Sequence, residues 1–464
     1  MDLKNKNIHI IGMGDKGSGQ ETAKAMIKLG YNISISDIKT TDELKTPIQE
    51  LSTLGNITFH CGNNAYTDIE KTDIIIVSPG VPSHIEPLKN ARKNGIPVIS
   101  EIELAYSLIK APVIAITGTK GKTTTTTLAG LIAKKSHLHE VYVGGNIGKP
   151  LISIAEFATE KDIVIAEVSS FQLENIINFH PKVAVFTNLY EDHLDRYNNS
   201  MDEYFATKLR VFENQTENDF AVLNIDLSIS EKIIKKTKAK IIPISLKDKL
   251  KNGIYIEDEF IISTLNGTKE IITDTKNIRL RGTHNLANIL ASIAAITAFG
   301  LNIKSSVEEI LSTFKGVENR LEEVDTINGI SFYNDSQGTT PMAVQMALNS
   351  FPERSVILIA GGRAKVNDFS ELGKIIAERA KAAVLIGEAK ETIAEAIRKY
   401  SPNFKITFQD NLPDAVVFAF QNYAESGDNI IMSPACASFD MFRNMEHRGK
   451  IFKETVAKIC QNMV

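Results

Sequence analysis

The chain has 464 residues, 43% hydrophobic and 23% charged, a globular balance on a length too great for one ordinary core. Its formal net charge of −4 leaves no global field to draw nucleic acid or anionic lipid, so an anionic ligand must be held by local loops and lysines. No apolar run approaches the ~20 residues of a membrane span, and the 3 cysteines (Cys61, Cys436, Cys460) are too scattered for a disulfide framework or a zinc knuckle. A reduced, cytoplasmic protein without membrane or nucleic-acid partners is the expectation.

The first hundred residues alternate short β-rich runs with helical stretches: "NIHIIGMG", "YNISISD", "DIIIVSPG" and "IPVISE". That βα rhythm, with glycine at strand ends, predicts a parallel sheet with crossover helices. Basic residues precede the first apolar run, but glycine and charge interrupt it at once, so it reads as a first strand and not a leader. A second βα series opens at "APVIAITGTKGKTTTT" and continues through "DIVIAEVSSFQLE", "VAVFTNLYEDH" and "FAVLNID". It closes with a densely apolar helix, "HNLANILASIAAITAFG". A third begins after residue 316 with "GISFYNDSQGTTP", "SVILIAGGRAK", "AAVLIGEA", "KITFQD" and "NIIMSPACASFD". The prediction is three α/β domains with joints near 110 and 316. Small, polar and charged residues gather where strands run out, which in open parallel sheets is where ligands bind. Turn chemistry alone would account for some of these strand ends; their number points to a large site between domains.

Gly12, Gly14 and Gly17 follow the first strand with the spacing of a dinucleotide loop, and Asp37 ends the next strand, where an acidic residue meets a ribose. Alone, this pattern describes an NAD-dependent oxidoreductase. The stretch 117–124 alters the reading. A strand ends at Thr117, and Gly118, Thr119, Lys120, Gly121, Lys122 and Thr123 turn into a helix. Glycines let backbone N–H groups curl round a phosphate, Lys122 can reach β/γ oxygens, and the Thr123 hydroxyl can ligate Mg²⁺. Ile116 stands where a full P-loop carries glycine, so the loop is a shortened relative; a basic turn that binds nothing is the plain alternative. An ATP site and a second pyrophosphate loop fit one enzyme whose substrate is a nucleotide conjugate.

"NLYEDHLDRY" puts Asp192 and His193 directly after a strand, and "AEVSS" puts Glu167 and Ser169 after a neighbouring one. Carboxylate, imidazole and hydroxyl round a triphosphate suit Mg²⁺ or Mn²⁺ rather than zinc, though "EDHLD" could equally be a solvated helix start. "SPACASFD" offers N–H groups and the Ser438 hydroxyl to a carboxylate. Cys436 there has no His partner nearby in sequence and reads as a packed thiol. Lys365 and Arg320, each taken alone, read as surface cations.

Together these segments resemble the Mur ligases of peptidoglycan synthesis, and within them the D-glutamate-adding branch. "GTKGKTT" matches the family's ATP loop; "EVSSFQLE", "NLYEDHLDRY", "HNLANILA" and "SPACASFDMF" carry the narrower likeness. The resemblance implies an α/β fold of three domains. Residues 1–110 form an N-terminal Rossmann-like domain for a UDP substrate, 111–315 a central P-loop-type ATPase, and 316–464 a C-terminal Rossmann-like domain for the amino acid. The implied reaction is ATP-dependent ligation of D-glutamate to UDP-N-acetylmuramoyl-L-alanine through an acyl phosphate, by a monomer whose domains close round ATP. It uses two Mg²⁺ ions, with Mn²⁺ as a substitute.

By position, the resemblance makes Lys122, Asn146, Glu167, His193 and Lys208 catalytic, and Thr123, Glu167, His193 and a carbamate on Lys208 metal ligands. By the residues alone, Lys208 is a surface lysine on an amphipathic helix. ATP would be held by 118–124 including Thr124, with Asn285, Asn288, Arg320 and Asp335 round adenine and ribose. The UDP substrate would meet Gly14, Asp15, Lys16, Asp37, Ser78, Gly80, Asn146, Ser169 and His193. D-Glutamate would meet Thr339, Lys365, Ser438 and Phe439. Some positions depart from the family pattern. Asn319 stands where relatives often carry His, Gln337 and Gly338 where they carry Lys and Ala, and Met445 where they carry an aromatic. Asp15 and Lys16 replace hydroxyl or apolar residues.

Overall fold

A computed structural model describes residues 3, 6–14, 18–67, 69–280, 282–364 and 368–461. Among them, three sheets alternate with helices, in two compact units: Met1–Asn277 with Leu286–Ile310, and Ile278–Asn285 with Leu311–Val464.

The first unit carries two sheets. One has five parallel strands in the order Ile57–Cys61, Ile33–Asp37, Ile8–Ile11, Ile74–Val77, Val98–Ser100. The central strands are β-branched runs buried along their length, as strands covered on both faces must be. The chain's first strand lies between its second and fourth, so the strand order reverses there. The loop after Ile11 therefore opens into the crevice where open sheets receive ligands.

The other sheet of this unit has nine strands. Val113–Thr117 lies between Ile163–Glu167, which leads on to the edge strand Val141–Gly145, and Val183–Phe186, which leads on to Phe220–Asn224 and Lys240–Ser245. The same reversal thus places the loop after Thr117 between the strand ends that carry Asn146 and Glu167 and the one that leads to Asp192 and His193. Beyond Lys240–Ser245 comes Ile254–Glu257, and then two antiparallel strands, Phe260–Ser263 and Glu270–Asp274.

Buried glutamates on the helix Glu101–Leu108 fasten the two sheets together. Glu103 accepts the N–H groups of Ile177, Asn178 and Phe179 at 2.9, 2.8 and 2.8 Å. Three converging donors replace the water its carboxylate loses. Glu101 accepts one N–H, from Ile152 at 2.8 Å, and burial pushes its carboxyl up to about 7.

The second unit holds a six-stranded sheet in the order Glu322–Ile327, Ile330–Asn334, Asn429–Met432, Val356–Gly361, Ala382–Ile386, Ile406–Phe408. Its first pair is antiparallel and the rest parallel. Because the chain's last strand inserts between two earlier ones, the loop 433–438 lies between the loop after Asn334 and the loop after Gly361.

Candidate active site

The turn after Thr117 is held open from outside. Gly118 (φ +135°) and Gly121 (φ +83°, capping the helix Lys122–Ser136) adopt backbone conformations that side chains disfavour. A Cβ at Gly118 would sit 2.1 Å from Thr187 Oγ1, and one at Gly121 2.2 Å from Asn288 Oδ1. The Thr119 N–H donates to Asn188 O (2.9 Å), the Lys120 N–H to Asn188 Oδ1 (2.8 Å) and the Thr187 hydroxyl to Lys120 O (2.6 Å). Three lysine side chains surround the turn. Lys122 Nζ donates to Gly118 O and Thr119 O at 3.1 and 2.9 Å, Lys208 Nζ to Gly118 O at 2.8 Å, and Lys120 Nζ pairs with Asp192 at 3.1 Å. Thr123 and Thr124 are buried in the first helical turn. Cations round a glycine turn at a helix N-terminus suit a polyphosphate.

Lys208 is buried, unlike the surface lysine that residue pattern alone describes. The helix Met201–Leu209 aims it inward, its Nζ 4.7 Å from the Tyr204 ring centre. Burial, and then the Lys122 charge, push its pKa down to about 6, against the pull of Asp192 and Glu167. Near neutral pH it is an uncharged, nucleophilic amine.

Buried Glu167 pairs with the exposed Asn146. Asn146 Nδ2 donates to Glu167 Oε1 at 2.7 Å and the Asn146 N–H to Glu167 O at 2.9 Å. Glu167 Oε2 is buried with no hydrogen-bond partner among the described residues. An orphaned carboxylate oxygen is costly unless something fills its lone pairs, and a hard cation does so. Among the described residues no three His, Cys, Asp or Glu side chains converge as a metal cage. A cation here would complete its shell with phosphate and water, as Mg²⁺ does. His193 stands apart from that pair: left-handed (φ +53°), exposed, Nε2 3.6 Å from Asp192 and edge-on to Phe171. Ser169 caps the short helix Ser170–Leu173 reciprocally with Gln172.

At the first glycine loop, Gly12 and Gly14 have φ +88° and +64°. Asp37 accepts the Gly14 N–H at 2.8 Å and the Lys39 N–H at 3.0 Å, and the Ser78 hydroxyl donates to Gly12 O. Asp15, Lys16 and Gly17 lie outside the described residues. Arg196, which the sequence reading did not single out, ties this loop region to the neighbouring sheet. It grips Glu174 through Nε and Nη2 (2.7 and 2.8 Å), donates to Val81 O (2.8 Å), reaches Gly80 O at 3.5 Å and lies over the Phe171 ring. The Arg in "EDHLDRY" was its only signal.

In the second unit, Asp335 is buried and accepts the Ser433 hydroxyl (2.6 Å) and the Leu321 N–H (3.1 Å). Burial pushes its carboxyl up to about 6. Arg320 is half-buried, its N–H donating to Val317 O, and Asn285 is buried at the start of the helix Thr283–Phe299. The Thr339 N–H donates to Gln337 O at 2.8 Å; Ser438 is buried and Phe439 exposed. Lys365 lies outside the described residues. The departures at 319 and 338 have local reasons. Asn319, left-handed at φ +62°, receives Asn334 Nδ2 at 2.9 Å and fills the space a side chain at Gly449 would need. A Cβ at Gly338 would come within 2.2 Å of Asp335 Oδ2. Arg448 is the other residue the sequence reading missed: fully buried, and bonded to Ser336 and Cys436 O.

Residues 6–100 match the Mur ligase MurD-like N-terminal domain, 116–296 the Mur ligase middle domain, and 319–436 the Mur ligase glutamate ligase domain. A UDP-N-acetylmuramoylalanine–D-glutamate ligase of Thermoanaerobacter pseudethanolicus is 42% identical over 99% of this chain and 100% of its own. Another, of Pelotomaculum thermopropionicum, is 40% identical over 99% of each. Among solved structures, the UDP-N-acetylmuramate–alanine ligase MurC of Thermotoga maritima shares the fold at a TM-score of 0.58 and 19% identity, over 98% of this chain and 100% of that one. A MurF ligase from the same organism shares it at 0.58 and 16%, over 92% and 95%. Identity of this order along the whole length, together with these domain matches, shows that the chain belongs to the Mur ligase family.

Proposed function

We propose that this chain joins D-glutamate to UDP-N-acetylmuramoyl-L-alanine with ATP, releasing ADP and phosphate, to supply peptidoglycan precursor in the cytoplasm. The observation that carries the reading is the full-length likeness to D-glutamate ligases, supported by the match to the glutamate ligase domain. A carboxylate resists amines because oxide is a poor leaving group. Phosphorylation of the L-alanyl carboxylate by ATP gives an acyl phosphate; the D-glutamate amine attacks it, and phosphate leaves from the tetrahedral intermediate. Catalysis is then positioning and neutralisation of charge on the transferred group.

In this reading residues 1–110 hold the UDP substrate, 111–315 ATP and 316–464 the amino acid, within a monomer. The loop 118–124 cradles the phosphates, Lys122 meets the transferred group, and Asn285, Asn288, Arg320 and Asp335 hold the nucleoside. Gly14, Asp37, Ser78, Gly80, Asn146, Ser169 and His193, with Asp15 and Lys16, serve the UDP substrate. Thr339, Ser438 and Phe439, with Lys365, serve D-glutamate. Thr123, Glu167, His193 and the Lys208 carbamate would hold Mg²⁺, two ions in the full proposal or Mn²⁺ in its place. When bound, the metal neutralises phosphate charge. The orphaned Glu167 oxygen supports that role. The lowered Lys208 pKa supports the carbamate, since an uncharged amine adds CO₂ and releases a proton.

Phosphate release with ATP, Mg²⁺, UDP-N-acetylmuramoyl-L-alanine and D-glutamate, omitting each in turn, tests the proposal. Turnover should require all of them, and release that continues without D-glutamate overturns the assignment.

A further inference from the structure

The second unit buries a cation at the end of its sheet. Arg448, on the helix Met445–Gln461, is 1% exposed. Its Nε donates to Ser336 Oγ (3.0 Å), Nη2 to Ser336 O (2.8 Å) and Nη1 to Cys436 O (3.3 Å). One guanidinium thus bridges the loop after Asn334 and the loop after Met432, which carry Thr339 and Ser438. The Ser336 hydroxyl donates a hydrogen bond to Met445 O (2.7 Å), and the Ala435 N–H donates to Gly338 O (2.9 Å), so the two loops and the helix start form one network.

The partners of this guanidinium are neutral. Among the described residues no carboxylate lies within ion-pair distance of Arg448. Asp440 and Asp335 attract it from farther off, while Asp335 spends both oxygens on Ser433 and Leu321 and Asp440 accepts the Glu388 N–H. Burying a charge without a counter-ion is costly, and a hydrophobic residue would fill the same space without that cost. Residues 335–339 and 433–438 contain no cation of their own. The nearby Arg363 directs its guanidinium to Glu388. Arg448 is thus the cation bonded to both loops, set against the Asp335 carboxylate that one of them carries, and its planar fork fixes the spacing between them.

We propose that Arg448 is a positioning residue for the amino-acid substrate: it locks the loops 335–339 and 433–438 in the register that lets Thr339 and Ser438 receive a dicarboxylate. The proposal rests on the D-glutamate reading above. Its test uses the full-length enzyme, once D-glutamate-dependent turnover of the unsubstituted protein is in hand; absence of that dependence overturns the reading itself rather than the role of Arg448. Arg448→Gln should raise KM for D-glutamate about tenfold or more, as loss of charged hydrogen bonds does, with KM for ATP and for the UDP substrate within about twofold. Arg448→Lys keeps the charge but not the planar fork, and should fall between. A D-glutamate KM unchanged in Arg448→Gln overturns the proposal, as do three KM values rising together with a lowered melting temperature. If Arg448→Gln does not fold, Ser336→Ala decides, because it removes the Nε bond and the bond to Met445 O and leaves the other two guanidinium bonds. A rise in D-glutamate KM of about threefold supports the role, and no rise overturns it.

Discussion

The loop after Ile11 and the loop after Thr117 repeat one design, a buried parallel strand running at a reversal of strand order into a left-handed glycine turn and a helix. Their surroundings differ in charge. In the first, Asp37 already takes the Gly14 N–H. In the second, Lys120 and Lys122 bring ammonium groups to the turn, and Lys208 brings an amine whose charge burial suppresses. Glycine spacing sets the path of the chain, while the charges packed round it decide what it binds. For that reason the first motif alone suggests a nicotinamide dinucleotide, and its context within the family suggests a UDP conjugate.

Lys122→Ala should produce the largest break in this comparison, lowering kcat on the order of 10³-fold with little change in KM for the UDP substrate, because in the proposed role its charge meets the transferred phosphoryl group. Steady-state kinetics check it. Gly118→Ala should follow, with a loss on the order of 10²-fold. The new methyl meets Thr187 Oγ1, at a φ alanine disfavours. Its melting temperature should also fall, whereas Lys122→Ala should melt near the parent.

The pH profile sharpens the lysine side. The folded pKa of Lys208, about 6, lies below its ordinary 10.5. Between those values the unfolded chain binds the extra proton, so this group's contribution to stability rises with pH across the window and is flat below about 6. Below about 6 the amine is charged and cannot take up CO₂, so turnover should drop roughly tenfold per pH unit as the carbamate is lost. A flat profile down to pH 5 would remove Lys208 from the mechanism. Asp37→Ala should have the smallest effect, raising KM for the UDP substrate about tenfold by loosening the Gly14 turn, with KM for ATP unchanged.

Much of this architecture is legible in the sequence because it is local. The runs "IHII", "VIAIT" and "VILIAG" are continuous apolar strands, and the glycines and hydroxyls after them mark where they end. The strands Ile57–Cys61 and Glu270–Asp274 are short and partly exposed, and Phe260–Ser263 has only four residues, so no clear apolar period announces them. Lys208 and Arg448 defeat local reading for another reason. Both sit on helices with a mixed pattern, and only packing against distant loops buries them. The fastening of the two sheets by Glu103 is likewise invisible, since its donors lie more than 70 residues away.

The most direct test of the central claim follows the oxygen atoms. With oxygen-18 in the L-alanyl carboxylate of the UDP substrate, one labelled oxygen should appear in the released phosphate for each amide formed with D-glutamate, as an acyl phosphate demands. Phosphate that carries only solvent or ATP oxygen would contradict the account.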